Sequence, residues 1–273
     1  MKKISICALL FTLSASAWAA DCPVQPPAGL VAAGKLTIAT HLTAPPQAFL
    51  DNDKPAGFAV EIGEALAKQM CLKAEFIDVA FAGLFPGINA RKFDTVIAGV
   101  GITPARQESF DFVPYFEGGV RLLNRKDSPQ DFKNEDALCG LSVATQTGST
   151  EAIGLERANK ESCPEGKKIK ILGYPNFNEA VQQLRKKVAD VAFVDWPFAN
   201  YLAHAVPELK LASPILSGTP GKPRNKHGMV VRKGDTAMAT ALADALKRIE
   251  ADGTYDKILA KWNVSEGDIR RAP

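Results

Sequence analysis

No catalytic signature occurs anywhere in the 273 residues. There is no G-x-S-x-G elbow, no H-E-x-x-H helix, no G-x-x-x-x-G-K-[ST] phosphate loop and no C-x-x-C pair, which removes the common routes to nucleophilic, zinc, nucleotide and dithiol chemistry. Gly99-x-Gly101 lacks the third glycine and the downstream acid of a dinucleotide loop. The three histidines, His41, His204 and His227, are too scattered to argue a metal site. No catalytic residue, metal or cofactor is therefore expected. Long charge runs, internal repeats, low-complexity tracts and a second apolar span are also missing.

Net charge is scarce as well. Lys2 and Lys3 begin an N-terminal segment with a ten-residue apolar stretch, Ile4–Leu13, and small residues at Ala17 and Ala19 around Trp18. That is the form of a secretory signal. Ten residues are half of the about 20 a bilayer-spanning helix needs, and Asp21 before Cys22 breaks a lipid-attachment box. Cleavage is expected after Ala19, with 1–19 as signal peptide and export to the periplasm. The 254 residues beyond it (273 − 19) carry 31 Lys+Arg, two fewer than the 33 of the whole chain, against 30 Asp+Glu. A net charge of +1 argues for no nucleic-acid partner. Of the five cysteines, Cys7 lies in the leader. The other four, Cys22, Cys71, Cys139 and Cys163, are an even number in an exported chain, which favours disulfides. They admit three connectivities, and their order alone does not choose among them.

What is present alternates strands with helices. Lys35–Thr40 alternates like a strand, and Ile62, Leu66 and Met70 share one face of a helix over Val60–Met70. Lys73–Val79 reads as a strand, Phe81–Ala90 as a helix broken at Pro86, and Phe93–Ala98 as a buried strand. That order predicts a parallel sheet with helices on both faces. A second unit starts at a strand Leu141–Gln146, followed by a helix capped by Ser149. Then come a strand Lys168–Tyr174, a helix capped by Asn178 and reaching Val188, a strand Asp190–Asp195 and a helix Trp196–Val206. Gly228–Arg232 resumes as a strand, and two helices, through Met238–Ile249 and Ile258–Trp262, close the chain. The expected fold class is α/β, with two lobes joined by a two-strand hinge near 117–127 and 217–228. Lobe 1 takes 20–119 plus 226–273, and lobe 2 takes 120–225. Grouping the cysteines by lobe pairs Cys139 with Cys163 and leaves Cys22 with Cys71.

Three polar groups fall beyond the carboxyl ends of the expected strands, where such sheets bind ligands. Arg106 follows 93–98, the helix start at Ser149-Thr150 follows 141–146, and Asp195 ends 190–195. Singly, each has a plain structural reading: surface charge, N-cap and helix cap. Together they are an arginine fork for a carboxylate, a helix N-terminus for the same anion and a carboxylate for an ammonium. Those are the two charged ends of an α-amino acid, met from opposite lobes.

The stretches Gly34-Lys35-Leu36, Gly57-Phe58, Lys92-Phe93-Asp94, Gly101-Ile102-Thr103-Pro104-x-Arg106, Pro114-Tyr115, Gln146-x-Gly148-Ser149-Thr150, Asp190-Val191-Ala192, Asp195 and Asp252-Gly253-Thr254-Tyr255 run nearly the length of the chain. In them the chain resembles the periplasmic amino-acid-binding proteins of ABC importers, the family-3 solute-binding proteins. The resemblance implies the type II periplasmic-binding-protein fold and a monomer that delivers an amino acid to a membrane permease. It implies that Arg106 holds the ligand carboxylate with N–H groups near Gly101 and Thr150. Asp195 and the Gly99 carbonyl would take the ammonium, and Phe81 would pack on the side chain. Several positions depart from the pattern: His41 stands where binders of basic amino acids tend to carry an acid, Ala44 and Gln47 where aromatics are frequent, Ala59 for an aspartate and Gly101 for a serine or threonine. His41 points to a neutral or polar ligand side chain rather than arginine or lysine. The alternative is an enzyme on this scaffold, since the resemblance extends to cyclohexadienyl dehydratases. Its proton donor or acceptor would come from Glu151, Glu117 or His41.

Overall fold

The computed structural model describes residues 22–217 and 224–271. The expected leader and its cleavage site lie outside the described residues, as does most of the glycine- and proline-rich loop before Asn225.

The first lobe begins with β1 (Lys35–Thr40), buried from Leu36 onward. A small antiparallel sheet follows, of β2 (Thr43–Ala44), β3 (Ala48–Asp51) and β4 (Lys54–Ala56). Helix α1 (Phe58–Gln69) turns Phe58, Ile62 and Leu66 inward, and β5 (Lys73–Asp78), α2 (Leu84–Asn89) and β6 (Thr95–Val96) come next. Helix α3 (Pro104–Ser109) leads into β7 (Phe110–Glu117). The second lobe runs through β8 (Val120–Arg125), β9 (Ser142–Gln146), α4 (Thr150–Glu161), β10 (Lys170–Tyr174), α5 (Phe177–Arg185), β11 (Val191–Asp195), α6 (Trp196–Ala205) and β12 (Leu209–Leu211). The chain then returns as β13 (Lys226–Arg232), α7 (Thr236–Ala251) and α8 (Thr254–Lys261).

Two five-stranded sheets result, ordered β5-β1-β6-β13-β7 and β10-β9-β11-β8-β12. They are mixed, not all-parallel as the alternation predicts. β5, β1 and β6 are parallel, but β13 runs antiparallel to both β6 and β7. In the second sheet β8 runs antiparallel to β11 and β12. The physical reason is the path between lobes: β7 and β13 share an edge of one sheet, and the strands that enter and leave the lobe cannot both follow the βαβ direction. The two crossovers lie side by side. Gly118 N–H donates to the Asn225 carbonyl at 2.8 Å, and Val120 and Leu216 exchange backbone bonds at 2.8–2.9 Å.

Other local expectations shift for identifiable reasons. Pro86 does not break a helix but sits in the first turn of α2, where its missing N–H has no intrahelical partner to lose. The buried run 93–98 pairs as a strand only at Thr95–Val96. Asn176, not Asn178, caps α5, its side chain accepting the Glu179 N–H. Asn178 instead donates its amide to the Thr43 carbonyl in the other lobe. That helix ends at Arg185, and Val188 is exposed.

The larger core packs α1, α7 and α8 against the first sheet through Ile38, Phe58, Leu66, Met229, Leu242 and Tyr255. Trp196, although it opens a second-lobe helix, belongs to this core. It stacks on Phe116 at 5.7 Å, and Phe116 stacks on Phe58 at 4.7 Å. Cys22 is bonded to Cys71 and Cys139 to Cys163. Closing the 24-residue separation of the second pair is worth about 3 kcal/mol in the chain-entropy account. Among the described residues, no helix is long and apolar enough to cross a membrane.

Candidate functional site

All eight residues singled out for ligand contact border one cleft between the lobes: His41, Phe81, Gly99, Gly101 and Arg106 from the first, Ser149, Thr150 and Asp195 from the second. Only about 10 Å³ there is open to the centre of a water molecule, which is at the edge of the roughly 10–15 Å³ one water needs. The two sets of side chains are gathered on a single point.

Arg106 does not trail a strand end. Thr103 caps α3, accepting the Arg106 N–H at 3.2 Å, and Pro104 sets the first turn. The side chain crosses the cleft, donating to the Gly101 carbonyl at 2.6 Å and to the Gly148 carbonyl of the other lobe at 2.9 Å. Its carbon lies 5.9 Å and 5.2 Å from the ring centres of Phe81 and Phe85. The rings hold the guanidinium plane, and two of its five N–H donors are engaged by these two carbonyls. Burial lowers its pKa, opposed by the charge of Glu151. A guanidinium nevertheless stays protonated.

On the facing side, Ser149 caps α4 by accepting the Ala152 N–H at 3.2 Å. The Gly148 carbonyl just before this helix start is the one that accepts from Arg106. Thr150 Oγ1 accepts from Asn225 of the crossover at 3.3 Å. Gly101 fits this junction because it has no Cβ: one would lie 2.5 Å from Asn225 Nδ2 and 2.7 Å from the Thr150 methyl. The departure from serine or threonine there has a steric reason. Gly99, at φ +65°, lies against the Gln47 amide, and its N–H donates to the Tyr115 hydroxyl at 3.4 Å.

Asp195 ends β11, fixed in place by its neighbour. The Trp196 N–H donates to the Gly119 carbonyl at 3.1 Å, and its indole N–H to the Glu117 carbonyl at 3.2 Å. The Asp195 carboxyl meets Glu151 within hydrogen-bonding reach and stands 3.5 Å from His227 Nε2. Burial pushes Asp195 up to about 7. Burial and then the neighbouring Asp195 charge push Glu151 up to about 8. Both carboxyls therefore hold their protons well above the ordinary carboxylate range. His227, lowered to about 4 by burial, is neutral, so its contact with Asp195 is a dipole contact and not an ion pair. His41 is likewise lowered to about 4 by burial and meets the Phe81 ring edge-on at 5.8 Å.

Three further residues line the cleft that the strand-end argument did not name: Ala98, Gln146 and Phe177. Gln146 ends β9 and was findable by the same logic as Asp195. Phe177 begins α5, and nothing in the local sequence distinguishes it from core. Glu151 entered only as a candidate proton donor for an enzyme. Glu117, another such candidate, lies outside the cleft at the crossover, 3.7 Å from Arg224.

Two α/β lobes on paired crossovers, with a cation and an acid facing each other across the gap, define a two-lobed binding protein for a small solute. The model of the bacterial extracellular solute-binding proteins, family 3, matches residues 36–265, and the chain belongs to that family. It is 30% identical to ABC transporter arginine-binding protein 1 of Escherichia coli (strain K12), over 96% of this chain and 99% of that one. Its fold is similar to an ancestral arginine-binding protein bound to arginine, with TM-score 0.75 and 33% identity over 84% of this chain and 98% of the other. It is also similar to an ancestral amino acid-binding protein described as a precursor of cyclohexadienyl dehydratase, with TM-score 0.72 and 32% identity over 84% and 95% of the two chains.

Proposed function

We propose that this protein captures an α-amino acid between its closing lobes outside the cytoplasm and delivers it to the membrane permease of an ABC importer. The observation that carries the reading is the placement of Arg106 and Asp195 on opposite lobes around one point. A ligand shifts open to closed only by contacting the closed form better, and a zwitterion does so when its two ends bind different lobes. Arg106 and the N–H groups near Gly101 and Thr150 take the carboxylate. Asp195 and the Gly99 carbonyl take the ammonium, and Phe81 and His41 border the side chain. Export through a leader cleaved after Ala19, a monomeric state, and lobes divided at 119/120 and 225/226 that turn about the crossovers belong to the same proposal.

The cleft's two acids, Glu151 and Asp195, meet each other, while neutral His41 and the Phe81 and Phe177 rings line other parts of it. We expect a neutral or polar side chain, although a relative is named for arginine. Calorimetry across the standard amino acids should give a neutral one as the tightest ligand, with arginine and lysine at least about tenfold weaker, the effect of about 1.4 kcal/mol. Arginine or lysine as the tightest ligand would reverse that assignment. No binding of any amino acid would remove the function itself.

The dehydratase-like neighbour and the proton held in the cleft favour one second reading, in which Glu151 serves as a proton donor to a cyclohexadienyl substrate. Ligand recovered chemically unchanged after prolonged incubation decides for binding over turnover.

A further inference from the structure

Across the cleft from the fixed cation Arg106 lie two acids, although a single ammonium is balanced by one. Glu151 is the second residue of α4 and is 2% exposed. Its Oε2 accepts from the Thr150 hydroxyl at 3.3 Å, its Oε1 is buried, and the carboxyl meets Asp195 and Ser149 within hydrogen-bonding reach. An alkylammonium carries three N–H donors. The cleft offers the Gly99 carbonyl, the Asp195 carboxylate and the Glu151 carboxylate as three acceptors.

We propose that Glu151 is the third acceptor for a primary α-ammonium, and that the proton it shares with Asp195 leaves for solvent as the ammonium arrives. The inference rests on the amino-acid reading above. Two carboxylates in contact do not both ionise unaided. A positive charge placed beside both relieves that repulsion, so binding lowers the proton affinity of the pair and releases part of a proton. The overall step is ammonium plus the protonated pair giving ammonium bound to two carboxylates plus a free proton.

The surrounding charges leave this titration to the pair. Arg106 faces it from α3 and stays cationic; its charge is met by the ligand carboxylate. His227 from β13 is neutral in this range, and the Tyr115 hydroxyl from β7 is raised further by burial. His41 is neutral too. Glu117, at the end of β7, is raised by burial and opposed by Arg224, Lys226 and His227 beyond the cleft. The sign follows: the free pair holds its proton at low pH, so ligand and proton compete there. Affinity rises with pH through about 7 to 8, where the two carboxyls titrate, by at most tenfold per unit.

The test uses L-alanine, L-glutamine, L-histidine, L-phenylalanine and L-arginine as probes. Titration calorimetry at pH 7.5 in phosphate and in Tris reads proton release from the buffer dependence of the heat. Carboxyl carbon-13 NMR of the free protein reads the shared proton directly. Wild type should release about half a proton or more per bound probe. Glu151→Gln keeps an acceptor but leaves only Asp195, itself raised by burial, to titrate, so its proton release should fall to about half that of wild type and its affinity should rise less steeply between pH 6 and 8. A residue that merely closed the helix end would not move proton release. Binding of any probe with release below about a tenth of a proton, or equal release in Glu151→Gln, overturns the inference and leaves the amino-acid reading standing. If no probe binds, both fall, and NMR still reports whether the pair titrates.

Discussion

Replacing Arg106 by alanine should weaken amino-acid binding by about 30-fold to several thousand-fold. Removing one partner of a buried charge pair costs roughly 2–5 kcal/mol, and every 1.4 kcal/mol is about tenfold in affinity. The high end is favoured here because the guanidinium has two tasks. It faces the ligand carboxylate, and it already ties the lobes together by donating to Gly101 on one and Gly148 on the other. Arg106→Lys keeps the charge but loses the planar fork and its seat on Phe81 and Phe85, so it should fall between wild type and alanine. Folding should survive, because α3 buries none of its residues fully. Calorimetry with parallel thermal unfolding checks both statements. An affinity within about threefold of wild type, well under 1 kcal/mol, would contradict the assignment.

Asp195→Asn should also weaken binding, by about 30-fold, the low end of the same range. The reason for the smaller loss is its neighbour. Without the Asp195 charge, Glu151 loses the repulsion that helps hold its carboxyl protonated, and it can ionise in compensation. The double variant Asp195→Asn/Glu151→Gln has no such reserve and should approach the loss of Arg106→Ala. The two substitutions are then not additive, as expected for groups in contact. A double-mutant cycle by calorimetry measures the coupling. Additivity within about 0.5 kcal/mol would show that the carboxyls act independently.

The parts of the fold legible in the sequence are those with a strong period and a buried face. Residues 35–40 and the Ile62/Leu66 stripe appear where the pattern puts them, within two residues at each end. The missing parts lack such a signal. β8, Val-Arg-Leu-Leu-Asn-Arg, alternates poorly, and β12 and the small sheet of β2, β3 and β4 have two to four residues each. Their pairing is decided by neighbours distant in the chain. Strand direction carries no local signal either: composition cannot say that β13 returns between β6 and β7.

At the site, strand-end logic together with family resemblance located eight residues that the structure draws to one cleft. Neither could see Glu151 meeting Asp195, because that contact joins the start of α4 to the end of β11, 44 positions apart in sequence. Gly101 reads in sequence as a lost hydroxyl. In three dimensions it is the space into which Thr150 and Asn225 fit.

The central claim is that the two charged ends of one amino acid are divided between the lobes. It is tested most directly by titrating wild-type protein with its tightest amino acid, the methyl ester of that amino acid, and its des-amino acid. The ester removes the charge Arg106 should hold, and the des-amino acid removes the charge Asp195 and Glu151 should hold. The account predicts that each analogue binds at least about 30-fold more weakly than the intact amino acid. Either analogue binding within about threefold of it would contradict the account.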